Sequence, residues 1–224
     1  MKSYSLYQPP PRFRWPDDSK CCVMLCFDVD GETTALSEDP TLKNRLTTYS
    51  QTTYGPSIGV PRYRAPWFEL NPWTPDLLQK YQIQYCASMM GDDVPYTHPN
   101  GLIEIPGQWM LEDWEQFAFN ADPRWGFIPE NCEKVFDLWW QEFAAMYDYG
   151  CCFVLTLHPW LSGRPSRVRL LERLVRSIQQ KERTWFAAGQ QIATYFRKNP
   201  DARHEIDFDR KEVVGNNVRF SLIP

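Results

Sequence analysis

The chain has 224 residues, 43% hydrophobic and 23% charged, with a formal net charge of −4, enough for one domain with a sizeable core. The acidic balance and the lack of a basic run exclude a phosphate-tracking protein, so no nucleic-acid partner is expected. No apolar stretch is long enough to cross a bilayer, and the N-terminal residues lack the apolar core of a signal peptide, so no membrane partner is expected either.

Residues 1–20 are Pro-rich and read as an irregular arm. Cys21 to Phe27 is a continuous apolar run ending at Asp28, the pattern of a buried parallel strand. From Gly31 to Pro66 the sequence is rich in Thr, Ser, Pro, Tyr and Gly and offers no convincing strand, an unusually long loop for a compact domain. Pro75 to Tyr81 suits a short helix, with Thr74 as its N-cap. Gln84 to Ser88 and Leu102 to Ile105 are short strand candidates. Glu133 to Tyr147 carries Phe136, Trp139, Trp140, Phe143 and Met146 at helical spacing, and Gly150 ends it. Cys152 to Leu157 forms a second buried strand, ending at His158. Pro165 to Gln179 is amphipathic, with Ser162 upstream as a cap. Trp185 and Phe186 suggest a last strand and Gln190 to Arg197 a last helix. Residues 199–224 form a polar tail that alternates weakly through Val213, Val214, Val218 and Phe220. Alternating strands and helices indicate an α/β fold with a parallel sheet or barrel.

The seven Cys are an odd number in apolar, strand-like surroundings without metal-type spacing, so they read as buried thiols of a reducing cytoplasm. The ten Trp suit a carbohydrate groove and core packing equally.

The densest local motif is FDVDGET, Phe27 to Thr33. Asp28 and Asp30 sit on the same side of a strand end, and Gly31 lets the chain turn away. Such close carboxylates repel unless a cation, a proton or an electrophile compensates. A phosphotransferase of the haloacid-dehalogenase type uses a similar motif, and Gly91-Asp92-Asp93 superficially resembles its later acidic motif. No Ser or Thr ends an apolar strand at that family's intermediate step, which leaves it the weaker reading.

A second resemblance extends along most of residues 20–195. YGPSIGVPR (Tyr54 to Arg62), YRAPWFELNP (Tyr63 to Pro72), SMMGDD (Ser88 to Asp93), GLIEIP (Gly101 to Pro106), WMLEDW (Trp109 to Trp114) and LTLHPWLSGRPSR (Leu155 to Arg167) follow FDVDGE in the order of the NodB-type polysaccharide deacetylase superfamily. They are most similar to its cytoplasmic peptidoglycan-deacetylase and allantoinase-like branch. The resemblance implies a (β/α) barrel and hydrolysis of a non-peptide C–N bond, most simply deacetylation of an N-acetylated sugar or polysaccharide. It makes Asp28 the general base, Asp30 a metal ligand, His158 the general acid, Asp113 the carboxylate that orients His158, and Arg64 the partner of the base. Trp67, Trp109 and Trp114 would wall the substrate groove. The family expectation is a Zn-like divalent metal, with an N-acetylated carbohydrate or small amide as substrate.

The sequence departs from the family pattern at one place. The family's two further ligands are His in an HxxxH pattern, whereas the only His here are His98, His158 and His204, none at that spacing. GVPR at Gly59 to Arg62 runs directly into YRAPW, where relatives keep the blocks far apart, which places a missing segment between 62 and 63. The expected fold is therefore an incomplete or distorted (β/α) barrel over 21–198, with an open sheet edge that a second copy could cover. The expected metal is weak or absent. The alternatives to a deacetylase are an inactive remnant that binds a sugar or partner, an allantoinase-like cyclic-imide hydrolase, and the phosphatase.

Overall fold

The computed structural model describes residues 13–28, 62–121, 124–126 and 128–199, together with the backbone of three short strands between 204 and 221. Asp30 lies outside the described residues, as do residues 31–61 of the stretch for which the sequence offers no convincing strand; Arg62–Tyr63 within that stretch forms a strand, too short for the pattern to show.

Strand β1 (Cys21–Phe27) is the centre of a small parallel sheet. It pairs on one side with β8 (Cys152–Leu157), in a register running from Cys22↔Cys152 to Phe27↔Leu157. On its other side lies β9 (Thr184–Phe186), with Cys21 opposite Thr184. Strands buried on both faces need no polar alternation, which is why CCVMLCF and CFVLTL are nearly continuous apolar runs. Their period of two still divides the interior. Cys21 and Val23 face a cluster with Phe143, Phe153, Leu155 and Leu174, whereas Cys22, Met24 and Cys26 face Tyr85, Ile103, Ile105 and Phe196. Phe13 and Trp15 are buried in this second cluster, and the Trp15 indole N–H donates to the Gly150 carbonyl at 2.9 Å.

Most of the other strands pair in a second sheet. In it β2 (Arg62–Tyr63), β3 (Tyr85–Cys86) and β5 (Ile103–Glu104) run parallel, while β4 (Tyr96–Thr97) runs antiparallel to β5. The strands β10 (His204–Asp207), β11 (Glu212–Gly215) and β12 (Val218–Ser221) extend this sheet beyond β4. A hairpin of β6 (Phe119–Ala121) and β7 (Arg124–Gly126) stands apart. The architecture is α/β with parallel strands, as the sequence indicates.

Helix α1 (Thr74–Lys80) follows β2, and the five-residue α2 (Asp113–Phe117) precedes the hairpin. Helix α3 (Cys132–Tyr149) buries Phe136, Trp139, Phe143 and Met146 of the predicted stripe together with Val135, and leaves Trp140 half-buried. The Asn131 side chain accepts from Glu133 N at 2.8 Å at its start. Gly150, left-handed at φ 77°, ends it. A short turn, α4 (Pro159–Ser162), leads to α5 (Pro165–Gln179), which buries Leu170, Leu174 and Ile178 at intervals of four. Helix α6 (Gly189–Lys198) closes the second cluster with Ile192, Ala193 and Phe196.

Two predicted caps are corrected. Thr74 is itself helical, because its N–H already bonds Asn71 O at 2.9 Å and starts the turn one residue early. Ser162 does not cap α5: it belongs to α4, and its hydroxyl donates to Asp113 instead. Neither the two-residue β4 nor the hairpin is marked in the sequence, since both are too short for a readable period. All seven Cys are unpaired thiols, and all but Cys132 are buried.

Phe153 ties β8 to α3, with its ring edge-on to Phe143 at 5.6 Å and no exposure. Phe153→Ala should therefore cost about 3–5 kcal/mol. Urea unfolding should show a lower midpoint with an unchanged slope.

Candidate active site

Two ion-paired units meet where β1 and β8 end. Asp28 follows β1 directly, and its N–H donates to Leu157 O at 2.8 Å, extending the parallel ladder by one residue. His158 follows β8 in the same way. The carboxyl ends of parallel strands in α/β folds are where loops gather reactive side chains, and the register places Asp28 and His158 on neighbouring strand ends there.

The first unit is Asp28 with Arg64. Arg64 lies just after β2, and its Nη1 sits 3.1 Å from Asp28 Oδ2. The same nitrogen donates to the Thr156 hydroxyl, and Nη2 donates to Cys26 Sγ at 3.4 Å. Phe68 covers the guanidinium at 5.2 Å. The Arg64 side chain is 11% exposed, so this is no surface salt bridge. Despite the cost of burial, its neighbours Cys26, Asp28 and Glu112 hold the guanidinium pKa above the ordinary value. The loop carrying Arg64 is fixed from below: Ala65 N donates to Ser88 Oγ at 2.9 Å, and Ser88 N donates to Glu104. Trp67 and Phe68 then turn through left-handed φ values of 59° and 57°, conformations that L side chains seldom adopt.

The second unit is His158 with Asp113. Asp113 opens α2 and is fully buried. Its Oδ1 is 2.6 Å from His158 Nδ1, while Oδ2 accepts from His158 N at 2.9 Å and from the Ser162 hydroxyl. Both carboxylate oxygens are thus acceptors, so Nδ1 carries its proton and the ring's acid–base exchange is directed to Nε2. The Trp114 ring stands edge-on to the imidazole at 5.3 Å and to Trp67 at 5.7 Å.

Of the residues singled out in the sequence, Asp28, Arg64, His158, Asp113, Trp114 and Trp67 are brought into one neighbourhood by these contacts. Trp109 is 57% exposed in the short turn before Glu112, beyond the reach of these contacts. Asp30 lies outside the described residues. Asp92 and Asp93 do not join Asp28: the Asp93 carbonyl accepts from Cys152 N, at the opposite end of β8 from His158. This removes the acidic constellation of the phosphatase reading.

Glu112 escaped the sequence reading because nothing marks it beside Asp113. It is buried, forms a parallel bridge with Thr156, and places Oε1 3.8 Å from His158 Nε2. Burial pushes its carboxyl from the ordinary 4.5 to about 8, against the opposing pull of His158 and Arg64. A second buried pair lies deeper, where His98 Nε2 is 2.7 Å from Glu104 Oε2. Among the described residues, no group of three or more His, Cys, Asp or Glu is arranged to hold a metal ion.

No family model matches the chain. It is 27% identical to the peptidoglycan deacetylase of Helicobacter pylori over 171 residues, covering 62% of this chain and 57% of that protein. The chain thus spans less than two thirds of that relative. A solved Mycobacterium smegmatis structure described as a polysaccharide deacetylase superposes with a TM-score of 0.76 at 28% identity, covering 86% of this chain and 95% of that one. The Puue allantoinase structure shares the fold at 16% identity, with a TM-score of 0.61 over 85% of this chain and 94% of its own.

The buried Glu112 sets a pH dependence of stability. Between its ordinary 4.5 and about 8, the folded chain keeps a proton that the unfolded chain has lost, so stability falls as pH rises through that window. Thermal unfolding should show the Tm of Glu112→Gln falling by several degrees less than that of the wild type between pH 5 and pH 8.

Proposed function

We propose that this chain, a member of the NodB-type polysaccharide deacetylase superfamily, hydrolyses the amide of an N-acetylated sugar or polysaccharide. The observation that carries this reading is the convergence of the Asp28–Arg64 and His158–Asp113 pairs on adjacent strand ends. Amide hydrolysis requires a base for the attacking water, stabilisation of the tetrahedral oxyanion and an acid for the departing nitrogen. Asp28, ion-paired with Arg64, is suited to take the proton of water. His158, fixed through Nδ1 by Asp113, is suited to deliver one from Nε2. Trp114 stands against the imidazole and Trp67 against Trp114, and exposed Trp109 offers a further surface for a sugar ring.

Relatives named peptidoglycan and polysaccharide deacetylases support an N-acetylated carbohydrate as substrate class. A bound divalent metal would polarise the amide carbonyl, and Asp30 is the residue that resemblance assigns to it. The described residues supply no complete donor set, so no step here passes through a metal. A segment missing between Arg62 and Tyr63 is part of this reading and would account for the lack of HxxxH. Buried thiols suit a reducing cytoplasm.

Purified protein incubated with N-acetylglucosamine oligomers should release acetate. Asp28→Asn and His158→Ala should each lower the rate by about 10²–10⁴-fold with the circular dichroism spectrum unchanged. Oligomer binding without acetate release would instead identify a binding remnant of the enzyme. Elemental analysis should find substoichiometric zinc, and full occupancy that is lost in Asp30→Ala would show a complete site.

A further inference from the structure

The hydrolytic reading leaves one buried titratable group of the site unused. Glu112 and Asp113 are consecutive residues at the start of α2, and they approach the same imidazole from different sides. Asp113 Oδ1 lies 2.6 Å from Nδ1, and Glu112 Oε1 lies 3.8 Å from Nε2. The bridge between Glu112 and Thr156 fixes the Glu112 backbone two residues before His158 on β8. Both side chains are shielded from solvent, with His158 at 4% and Glu112 at 11% exposed. An imidazole with a carboxyl at each nitrogen has both of its protons under the control of the protein.

The other charges facing Glu112 are few. Arg64 approaches from the segment after β2, Asp113 and Glu115 share α2, and His158 comes from the end of β8. Arg64 in turn is committed to Asp28 at the end of β1. Its buried Nε has no hydrogen-bond partner among the described residues.

We propose that Glu112 is a positioning residue that acts through His158, holding the Nε2 edge of the imidazole and sharing a proton with it. This rests on the hydrolytic reading for its role in turnover. As the C–N bond breaks, Nε2–H passes its proton to the departing nitrogen. The vacated Nε2 lone pair then takes the Glu112 proton, leaving a carboxylate; Asp28 releases to solvent the proton it took from the attacking water, and Glu112 regains one from solvent, which restores both groups. At 3.8 Å the two groups lie beyond direct hydrogen bonding, and catalytic contacts often tighten only in the substrate complex.

The ring protons of the three His can be followed by NMR titration, with the His158 signal identified by its loss in His158→Gln. In the wild type the His158 signal should titrate in two linked steps, the mark of a proton-sharing pair. Glu112→Gln should reduce this to one step with a lowered midpoint. Its kcat should fall by about 10²-fold with little change in KM, and Glu112→Asp should recover part of both effects. Superimposable His158 titrations in the wild type and Glu112→Gln would overturn the proposal. If the Gln variant does not fold, a Glu112→Asp titration identical to that of the wild type does the same. A wild type that releases no acetate would sink the hydrolytic reading, while the titration still decides the pair.

Discussion

The parallel pairing of β1 with β8 is the constraint on which the site depends. Once Cys22 is set opposite Cys152, each further step along both strands is fixed, and the ladder runs out with Phe27 opposite Leu157. Asp28 and His158 are then adjacent because the strands end together. A one-residue slip would send each side chain to the other face. It would mix the two apolar clusters and separate the carboxylate from the imidazole. Burial of Cys22, Met24 and Cys26 on one side and Cys21 and Val23 on the other makes that slip costly, so the core enforces the geometry of the site.

Around that axis, each reactive group is held by a partner from a distant part of the chain. Arg64 reaches Asp28 from the segment after β2, and the Ser88–Glu104 network anchors its loop. Asp113 reaches His158 from α2, with Ser162 filling the second carboxylate oxygen. Burying charge is costly unless it is paired and hydrogen-bonded, and both units meet that condition. Glu112 has weaker compensation, and its raised carboxyl pKa records the difference.

The left-handed Trp67 and Phe68 lie in the same loop as Arg64. Phe68 lies over the guanidinium and Trp67 meets Trp114, so the unusual backbone coincides with the placement of two aromatic contacts beside the charged centre. Strained backbone of this kind persists where surrounding contacts over-determine it, and that loop is pinned through Ala65 to Ser88.

The strongly periodic parts of the fold are legible in the chain alone. The apolar runs of β1 and β8, the stripe of α3 with its terminating Gly150, and α5 from Pro165 to Gln179 were all legible, because buried surface of that extent imposes a pattern on consecutive residues. Asp28 and His158 stood out for the same reason, as polar residues ending apolar strands. Asp113 and Arg64 were reached through resemblance to a family, since neither carries a local mark. Folding in three dimensions sets Glu112 opposite Nε2, gives Ser162 to Asp113 instead of the α5 cap, and puts Asp93 at the far end of β8. Those outcomes depend on contacts between residues far apart in the chain, and hydrophobic periodicity, a property of neighbours, carries no information about them.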